Sequence, residues 1–210
     1  MTELGQDLET AARFLADENV VAIPTETVYG LAGRIDSEKA IRKIFDVKNR
    51  PYTDPLIVHV ADVPSVETLV THFPPLARKL MEAFSPGPLT VLLPKSNQVS
   101  DLVTNGSPLV AIRIPNHPLT LALLKLVGTP LAAPSANPFG GISPTTAQHV
   151  QDGLGLKIPY ILDGGSCEVG VESTIIQIVG DDQIKVLRQG GIPEEELALF
   201  AELVRDENPE

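Results

Sequence analysis

The amino-acid sequence predicts an α/β protein in which a twisted, mixed sheet is flanked by helices. Short runs rich in valine and isoleucine alternate along the chain with segments whose apolar residues recur at helical spacing, a pattern typical of α/β folds. The last predicted strands follow one another too closely for helical crossovers, so the sheet should contain antiparallel pairs. With 43% apolar and 20% charged residues, the 210-residue chain can bury the core of one globular domain.

The first half of the chain opens with a helix and then alternates strands with helices. Apolar residues at helical spacing predict the opening helix, and Ser37 is a suitable N-cap for the second. The strands are short, β-branched and bounded by proline. In chain order we predict a helix over 7–17, a strand over 20–25, a helix over 37–48, a strand over 55–61, helical structure near 64–84 and a strand over 88–94.

The second half continues this alternation and then brings strands closer together. Pro118 at the first position and Gly128 at the end delimit one helix. We expect residues 1–205 to form a single domain and residues 206–210 to be a frayed tail. In chain order we predict a strand over 109–115, a helix over 117–128, a helix that opens at Ser143 and Pro144, strands over 160–165, 173–180 and 184–191, and a helix near 193–205.

The composition argues against several classes of protein. The net charge of −11 argues against nucleic-acid binding over a broad surface, because such binding depends on neutralisation of phosphates by Lys and Arg. Cys167 is the one cysteine in the sequence, which excludes a disulfide framework within the chain and predicts a reducing cytoplasm. No apolar run approaches the roughly 18 residues that span a bilayer, and the N-terminal residues lack the pattern of a signal peptide.

Polar loops at the ends of the predicted strands are the expected place for a ligand site. In the most informative loop, PSANPFGGISPT, Ser135, Asn137, Ser143 and Thr145 surround two glycines before a predicted helix. The free N–H groups of a helix N-terminus favour an anion. Neither GxxxxGK[ST] nor GxGxxG is present, so phosphate binding and simple capping by Ser143 are about equally supported.

Three basic residues are candidates for anion binding. Lys48 and Arg50 precede a proline-containing turn, where an arginine can donate paired hydrogen bonds to a phosphate or carboxylate, although an exposed surface pair is the commoner outcome. Arg113 lies inside an apolar strand, where it either points inward and needs an anionic partner or faces solvent. The four histidines are scattered and no nucleophile–base arrangement is readable. These features favour binding and polarisation of a phosphate over acid–base catalysis.

Six motifs in one order along the chain together resemble the YrdC family of threonylcarbamoyl-AMP synthases, over residues 8–193. The resemblance implies a twisted α/β sheet curved round a deep, anion-binding cavity, in a short, single-domain member of the family. It also implies a reaction in which L-threonine, bicarbonate or carbon dioxide, and ATP yield threonylcarbamoyl-AMP and pyrophosphate. The motifs are PTETVYGL, KxRPxxxPLIVH, SPGPLT, RxPxHP, APSAN with SPT, and GxEST.

The resemblance also implies which residues would hold each substrate. Lys48 and Arg50 would stabilise growing charge, with no covalent or acid–base catalytic group. Asp54 departs from the asparagine expected there, and RQGGI departs from the usual RPGAI, which should loosen the turn after Arg188. The residues expected around threonine are Thr27, His59, Arg113, Ala133 and Ser173. The residues expected around ATP are Arg50, Asp54, Leu109, Ser135, Ser143 and Arg188.

The implied partners are small molecules and a tRNA-modifying machinery. Mg²⁺ would arrive with ATP rather than at a metal site of the protein, and a partner enzyme would move the threonylcarbamoyl group to tRNA next to the anticodon. Two alternatives stay open. One is a non-catalytic RNA-binding protein, which the acidic charge and few aromatic residues disfavour, so that we expect direct tRNA binding to be weak. The other is an enzyme of the same fold that activates a different amine.

Overall fold

The computed structural model describes residues 2–205, which form alternating strands and helices. The strands are β1 (Glu3–Gly5), β2 (Val21–Ile23), β3 (Gly30–Arg34), β4 (Ile57–His59), β5 (Leu89–Pro94), β6 (Leu109–Arg113), β7 (Leu131–Ala132), β8 (Tyr160–Leu162), β9 (Thr174–Ile178), β10 (Gln183–Arg188) and β11 (Glu202–Leu203). The helices are α1 (Leu8–Ala16), α2 (Glu38–Lys48), α3 (Val63–Leu69), α4 (Pro75–Phe84), α5 (Asp101–Thr104), α6 (Pro118–Val127), α7 (Ala147–Leu154) and α8 (Glu194–Leu197).

The strands form one mixed sheet in the order β1-β8-β2-β3-β7-β4-β6-β5-β9-β10-β11. Strand β4 is parallel to β6, and β5 is parallel to β9. The pairs β5–β6 and β9–β10 are antiparallel. The closely spaced β9 and β10 are therefore hydrogen-bonded neighbours, as their spacing in the sequence indicates. The predicted α/β class with a mixed sheet is confirmed.

The strand β2 shows how the sheet separates two apolar clusters. Val21 and Ile23 pack with α1 and α6 in the smaller cluster, whereas Ala22 between them belongs to the main core. Successive side chains of a strand point to opposite faces, so a run that is apolar throughout must be covered on both sides. This explains why residues 20–23 carry no polar residue and are fully buried.

The central strands β4, β5 and β6 are covered differently on their two faces. Val58, Val91 and Ile112 are fully buried in the main core. The residues that alternate with them, including His59 and Arg113, lie on the opposite face, and that face lines a cavity. The candidate site is therefore built on the face of the sheet that points away from the main core.

Local capping signals set several helix boundaries as predicted. The Asp7 carboxylate accepts from the Thr10 N–H at the start of α1, and the Ser37 hydroxyl accepts from the Ala40 N–H at the start of α2. Gly128 ends α6 with a φ of 66°, a conformation that glycine adopts without strain.

Other predicted boundaries are wrong. The helix expected to open at Ser143 begins at Ala147, with Thr146 as its N-cap. The helix expected near 193–205 ends at Leu197 and is followed by β11. The short elements β1, β3, β7, β11 and α5 were missed, since two to five residues carry too little pattern for detection.

The tail predicted to fray, 206–210, lies outside the described residues. None of the helices within residues 2–205 combines the length and the apolar character needed to cross a bilayer.

Candidate active site

A cavity of about 450 Å³ lies over the sheet face formed by β4, β6 and β5. His59 of β4 pairs with Arg113 of β6, which also pairs with Thr90 of β5, so these three residues lie side by side across the sheet. Of the residues predicted to bind a substrate, those that line the cavity are Arg50, Asp54, His59, Leu109, Arg113, Ala133, Ser135, Ser173 and Arg188.

We call one end of the cavity the inner end; it is formed by Arg113, His59 and Ser173. Arg113 points to the cavity side of the sheet and is only 4% exposed. Its Nη2 donates to Thr27 Oγ1 at 2.9 Å, and its Nε donates to the Gly87 carbonyl at 3.3 Å. The sequence left the direction of Arg113 open, and the structure selects the inward orientation.

The anionic partner that an inward arginine requires is Glu26, which the sequence reasoning missed. Glu26 Oε1 lies 2.8 Å from Arg113 Nη2, and the two side chains are 6% and 5% exposed. The other oxygen, Oε2, accepts from the Asn116 backbone N–H at 3.0 Å. A carboxylate inside the motif PTETVYG was the available signal, because a buried charge in a polar motif must find a partner.

His59 and Ser173 complete the inner end with neutral groups. Burial, with a further contribution from the Arg113 charge, lowers the pKa of His59 to about 3, so the imidazole is neutral at physiological pH. Ser173 Oγ lies 2.8 Å from Thr90 Oγ1 and accepts from Arg188 Nη2 at 3.0 Å. Ser173 therefore connects the inner end to the next arginine of the cavity.

The outer end of the cavity is formed by Arg50, Asp54, Glu172 and Arg188. Arg50 reaches it because Asn49 ends α2 in the left-handed conformation, with a φ of 52°. Its Nη2 lies 2.9 Å from Asp54 Oδ2 and donates to the Pro55 carbonyl at 3.0 Å. Burial lowers the pKa of Arg50, and the carboxylates of Asp54 and Glu172 oppose that shift.

Arg188 and Glu172 face each other across the same end. Arg188 Nη1 lies 3.0 Å from Glu172 Oε2, and Arg188 Nε donates to the Ser173 carbonyl at 3.0 Å. The Arg188 and Glu172 side chains are 35% and 37% exposed, so water reaches both. Burial lowers the pKa of Arg188, the Glu172 carboxylate opposes this shift, and the Arg113 charge adds to it. The two ends of the cavity therefore interact electrostatically.

Three predicted site residues do not line the cavity. Thr27 is fully buried behind Arg113 and accepts its hydrogen bond. Lys48 is 1% exposed, and its ammonium donates to the carbonyls of Ser135 and Asn137 instead of facing the cavity as an extra phosphate charge. Ser143 donates to Glu172 Oε1 at 2.7 Å.

Lys48 thus has a structural role that its position in the sequence did not indicate. It holds the loop of residues 134–145 against the end of α2, and Phe139 N–H donates to the Lys48 carbonyl at 2.8 Å in the same region. Burial, aided by the Arg50 charge, lowers the pKa of Lys48 to about 8. Asn49, in the left-handed conformation, turns the Lys48 and Arg50 side chains into different surroundings, so Lys48 does not line the cavity beside Arg50. Its part in charge stabilisation stays a prediction.

The cavity has the chemistry of a site for two anionic groups. Each of its three arginines, Arg50, Arg113 and Arg188, has one carboxylate partner from the protein. Guanidinium groups bind carboxylates and phosphates through paired donors. The neutral side chains of His59 and Ser173, at the inner end, can fix the orientation of a polar ligand. The predicted depth of the cavity stays a prediction.

Comparison with known proteins gives one consistent family. The Sua5/YciO/YrdC family model, described as telomere recombination, matches residues 13–190. A Bacillus subtilis protein named threonylcarbamoyl-AMP synthase is 47% identical over 188 residues, which cover 89% of this chain and 54% of that protein. A Vibrio vulnificus protein of the same name is 36% identical over 186 residues, which cover 88% of this chain and 98% of that protein.

A solved structure agrees with these sequence relatives. The crystal structure of Pyrococcus abyssi Sua5 complexed with L-threonine superposes with a TM-score of 0.91 at 40% identity, covering 97% of this chain and 63% of that one. The chain thus spans somewhat over half the length of the Bacillus and Pyrococcus relatives. The residues matched by the family model, 13–190, include every residue that lines the cavity.

Proposed function

The chain belongs to the Sua5/YciO/YrdC family, and we propose that it uses ATP to convert L-threonine and bicarbonate or carbon dioxide into threonylcarbamoyl-AMP and pyrophosphate. The observation that carries this proposal is one cavity with an arginine-containing anion site at each end, joined through Ser173. The names of the relatives and the threonine complex of the Pyrococcus protein support the choice of substrates.

The inner end suits the amino acid. Arg113 is held by Glu26, Thr27 and Gly87, so its remaining donors have a fixed direction for a substrate carboxylate. His59 is neutral and Ser173 carries a hydroxyl, and both can contact polar groups of threonine without adding charge. Ala133, which is 5% exposed and lines the same cavity, adds a small apolar surface that we assign to the threonine. A fixed arginine between small neutral groups favours a short amino acid over a long one.

The outer end suits the nucleotide. Arg50 and Arg188 are cationic and reachable by water, as binding of a polyphosphate requires. Ser135, Leu109 and Asp54 line the same region, and we assign them to the nucleotide as backbone or short-range contacts. Ser143 would contact a phosphate only if its hydroxyl exchanged Glu172 for the ligand.

Magnesium carried by ATP fits the residues of this end. Asp54 and Glu172 offer carboxylate oxygens, which are the ligands that Mg²⁺ prefers. Within residues 2–205 no group of three or more His, Cys, Asp and Glu could hold a metal ion by itself. When bound, magnesium supplies neutralisation of the polyphosphate charge.

The reaction then needs positioning more than acid–base chemistry. Threonine's amine adds to carbon dioxide, and the resulting N-carboxylate attacks the α-phosphorus of ATP, from which pyrophosphate leaves. Arg113 orients the amino acid, and Arg50 and Arg188 stabilise the charge that grows on the phosphates. Ser173 contacts Arg188 and Thr90, the neighbour of Arg113 across the sheet, so we place it where the two substrates would meet. We assign no covalent catalytic residue.

The wider role follows the same proposal. The product would pass to a partner enzyme that transfers the threonylcarbamoyl group to tRNA next to the anticodon. Direct tRNA binding by this chain should be weak, because its net charge is −11. A cytoplasmic location, expected from the single cysteine, belongs to this proposal as well.

Pyrophosphate release tests the proposed reaction. Purified protein with ATP, Mg²⁺, bicarbonate and L-threonine should release pyrophosphate and form threonylcarbamoyl-AMP that mass spectrometry detects. Omission of threonine, or its replacement by serine, should abolish or strongly reduce both products. Equal rates with serine or without an amino acid would contradict the assignment to threonine. Release that depends on added RNA would favour the RNA-binding alternative.

A further inference from the structure

Glu172 carries a negative charge into the end of the cavity that we assign to ATP phosphates. Its Oε1 accepts from the Ser143 hydroxyl at 2.7 Å, and its Oε2 lies 3.0 Å from Arg188 Nη1. It also acts on the charges of Lys48 and Arg50, since it opposes the lowering of both pKa values by burial. The two groups that Glu172 contacts directly, Ser143 and Arg188, are ones that we assign to the nucleotide.

The backbone of Glu172 is held firmly in this place. Its carbonyl accepts from the Gly191 N–H at 2.9 Å. Gly190 packs so closely that a Cβ there would lie 2.2 Å from the same carbonyl oxygen. The glycines of RQGGI thus hold the segment 172–173 tightly, contrary to the looser turn that we expected. The carboxylate cannot leave the cavity by a shift of the main chain without breaking these contacts.

A polyphosphate that approaches Arg188 must therefore meet the Glu172 carboxylate. Two anionic groups a few ångströms apart repel each other strongly in a partly desolvated site. A divalent cation between them removes this repulsion, and a carboxylate keeps free lone pairs even when each oxygen already accepts one hydrogen bond. Mg²⁺ in nucleotide sites is commonly bound by one or two carboxylates together with substrate phosphates.

We propose that Glu172 is the protein ligand for the divalent cation that accompanies the nucleotide, and that it makes nucleotide binding depend on this cation. This inference rests on the proposed ATP site. Without the cation, Glu172 competes with the phosphates for Ser143 and Arg188. With the cation, the same carboxylate becomes part of the nucleotide site.

Asp54 is the other carboxylate of the cavity, and the contacts favour Glu172 over it. Asp54 Oδ2 pairs with Arg50, and the Arg50 guanidinium also donates to the carbonyls of Asp54 and Pro55, so Asp54 belongs to the turn that fixes Arg50. Glu172 instead bridges two separate segments, residues 143 and 188, at the place assigned to the phosphates. Asp54→Asn is therefore the matched comparison for Glu172→Gln within the same cavity.

The test measures the ratio of ATP dissociation constants in EDTA and in Mg²⁺ by calorimetry. We expect Mg²⁺ to tighten ATP binding markedly in the wild-type protein. In Glu172→Gln this ratio should fall at least tenfold, because metal-free ATP binds more tightly and the Mg²⁺ complex less tightly. Glu168→Gln, which changes an exposed acid outside the cavity, should keep the wild-type ratio, and Asp54→Asn should lower the ratio far less than Glu172→Gln does. Glu168→Gln controls for the change in net charge.

A second readout follows the cation itself. Water-proton relaxation with Mn²⁺ and ATP should show a ternary complex with the wild type and with Glu172→Asp, but a weakened one with Glu172→Gln. A wild-type ratio in Glu172→Gln would overturn the proposal and leave Glu172 as a residue that only orients Arg188. The proposal would also be overturned if the ratio of dissociation constants fell in Asp54→Asn but not in Glu172→Gln. A wild-type protein that binds no ATP under either condition would instead contradict the proposed function.

Discussion

The two ends of the cavity use the same chemistry in different surroundings. At the inner end, the Arg113–Glu26 pair is 5% and 6% exposed, whereas the Arg188–Glu172 pair at the outer end is 35% and 37% exposed. A buried pair loses much of its hydration, so either partner without the other is very unfavourable. A pair in contact with water is worth little and exchanges partners readily. The same kind of Arg–Glu ion pair can thus hold an arginine in place when it is buried, or exchange its partner for a ligand when it is exposed to water.

This difference matches the ligands that we assign to each end. A small amino acid gains specificity from donors whose directions are fixed in advance, which the buried Arg113 provides. A nucleotide with its cation needs charges that can leave one partner for another, which Arg50 and Arg188, at 14% and 35% exposed, provide. Three experiments test whether the two ends differ in this way.

The largest effect should follow removal of the buried carboxylate. Glu26→Ala leaves Arg113 without its charge partner and should lower the free energy of unfolding by about 3–5 kcal/mol. The matched change at the outer end, Asp54→Ala, removes a carboxylate whose side chain is 41% exposed, and should cost less than about 1 kcal/mol. Urea unfolding of both variants measures the difference. Equal losses would show that burial does not distinguish the two ends.

The next effect concerns which ligand each arginine serves. Arg113→Lys cannot keep its contacts to Glu26, Thr27 and Gly87 while also donating to a substrate carboxylate, because an ammonium lacks the planar fork. Threonine binding should weaken by about 1.5–3 kcal/mol, on the order of 10- to 100-fold in half-saturation. ATP affinity should change little.

Arg50→Ala is the reciprocal variant, and it should weaken ATP binding while the threonine requirement stays near that of the wild type. Titration of each substrate at saturation of the other separates the two effects. If both variants weakened both substrates equally, the division of the cavity into two ends would be wrong. Thermal stability should fall less in Arg50→Ala than in Arg113→Lys, since Arg50 has more contact with solvent.

The smallest effect is a pH dependence at the inner end. Burial lowers the pKa of His59 to about 3 from an ordinary value of 6.5, so between these values the unfolded chain binds a proton that the folded protein does not. Its contribution to stability is complete above pH 6.5 and is lost as the pH falls. Between pH 6.5 and 5.0, this histidine should account for roughly 1.5 kcal/mol of lost stability. His59→Gln should remove that part of the slope, and an unchanged slope would contradict the assignment.

Arg113 and Lys48 show why some site residues could be named but not placed. The strand over 109–115 is apolar on both faces apart from the arginine. Its two-residue period shows that Ile112 and Arg113 point to opposite faces, but it does not show which of these faces the main core. Lys48 precedes a proline-containing turn, where an exposed surface pair is the commoner outcome, yet its side chain is buried against the loop of residues 134–145. The partners in both cases come from segments far away in the sequence.

The sequence by itself determined the mixed α/β class and the helix boundaries at Ser37 and Gly128. These features depend on the period of apolar residues and on local hydrogen bonds, which a short stretch of chain contains in full. Only the tertiary structure decided the orientation of Arg113 and the pairing of each cavity arginine with a carboxylate. The parallel neighbours β4 and β6, together with β5 and β9, bring distant loops together, and the identity of a buried charge's partner depends on that long-range pairing.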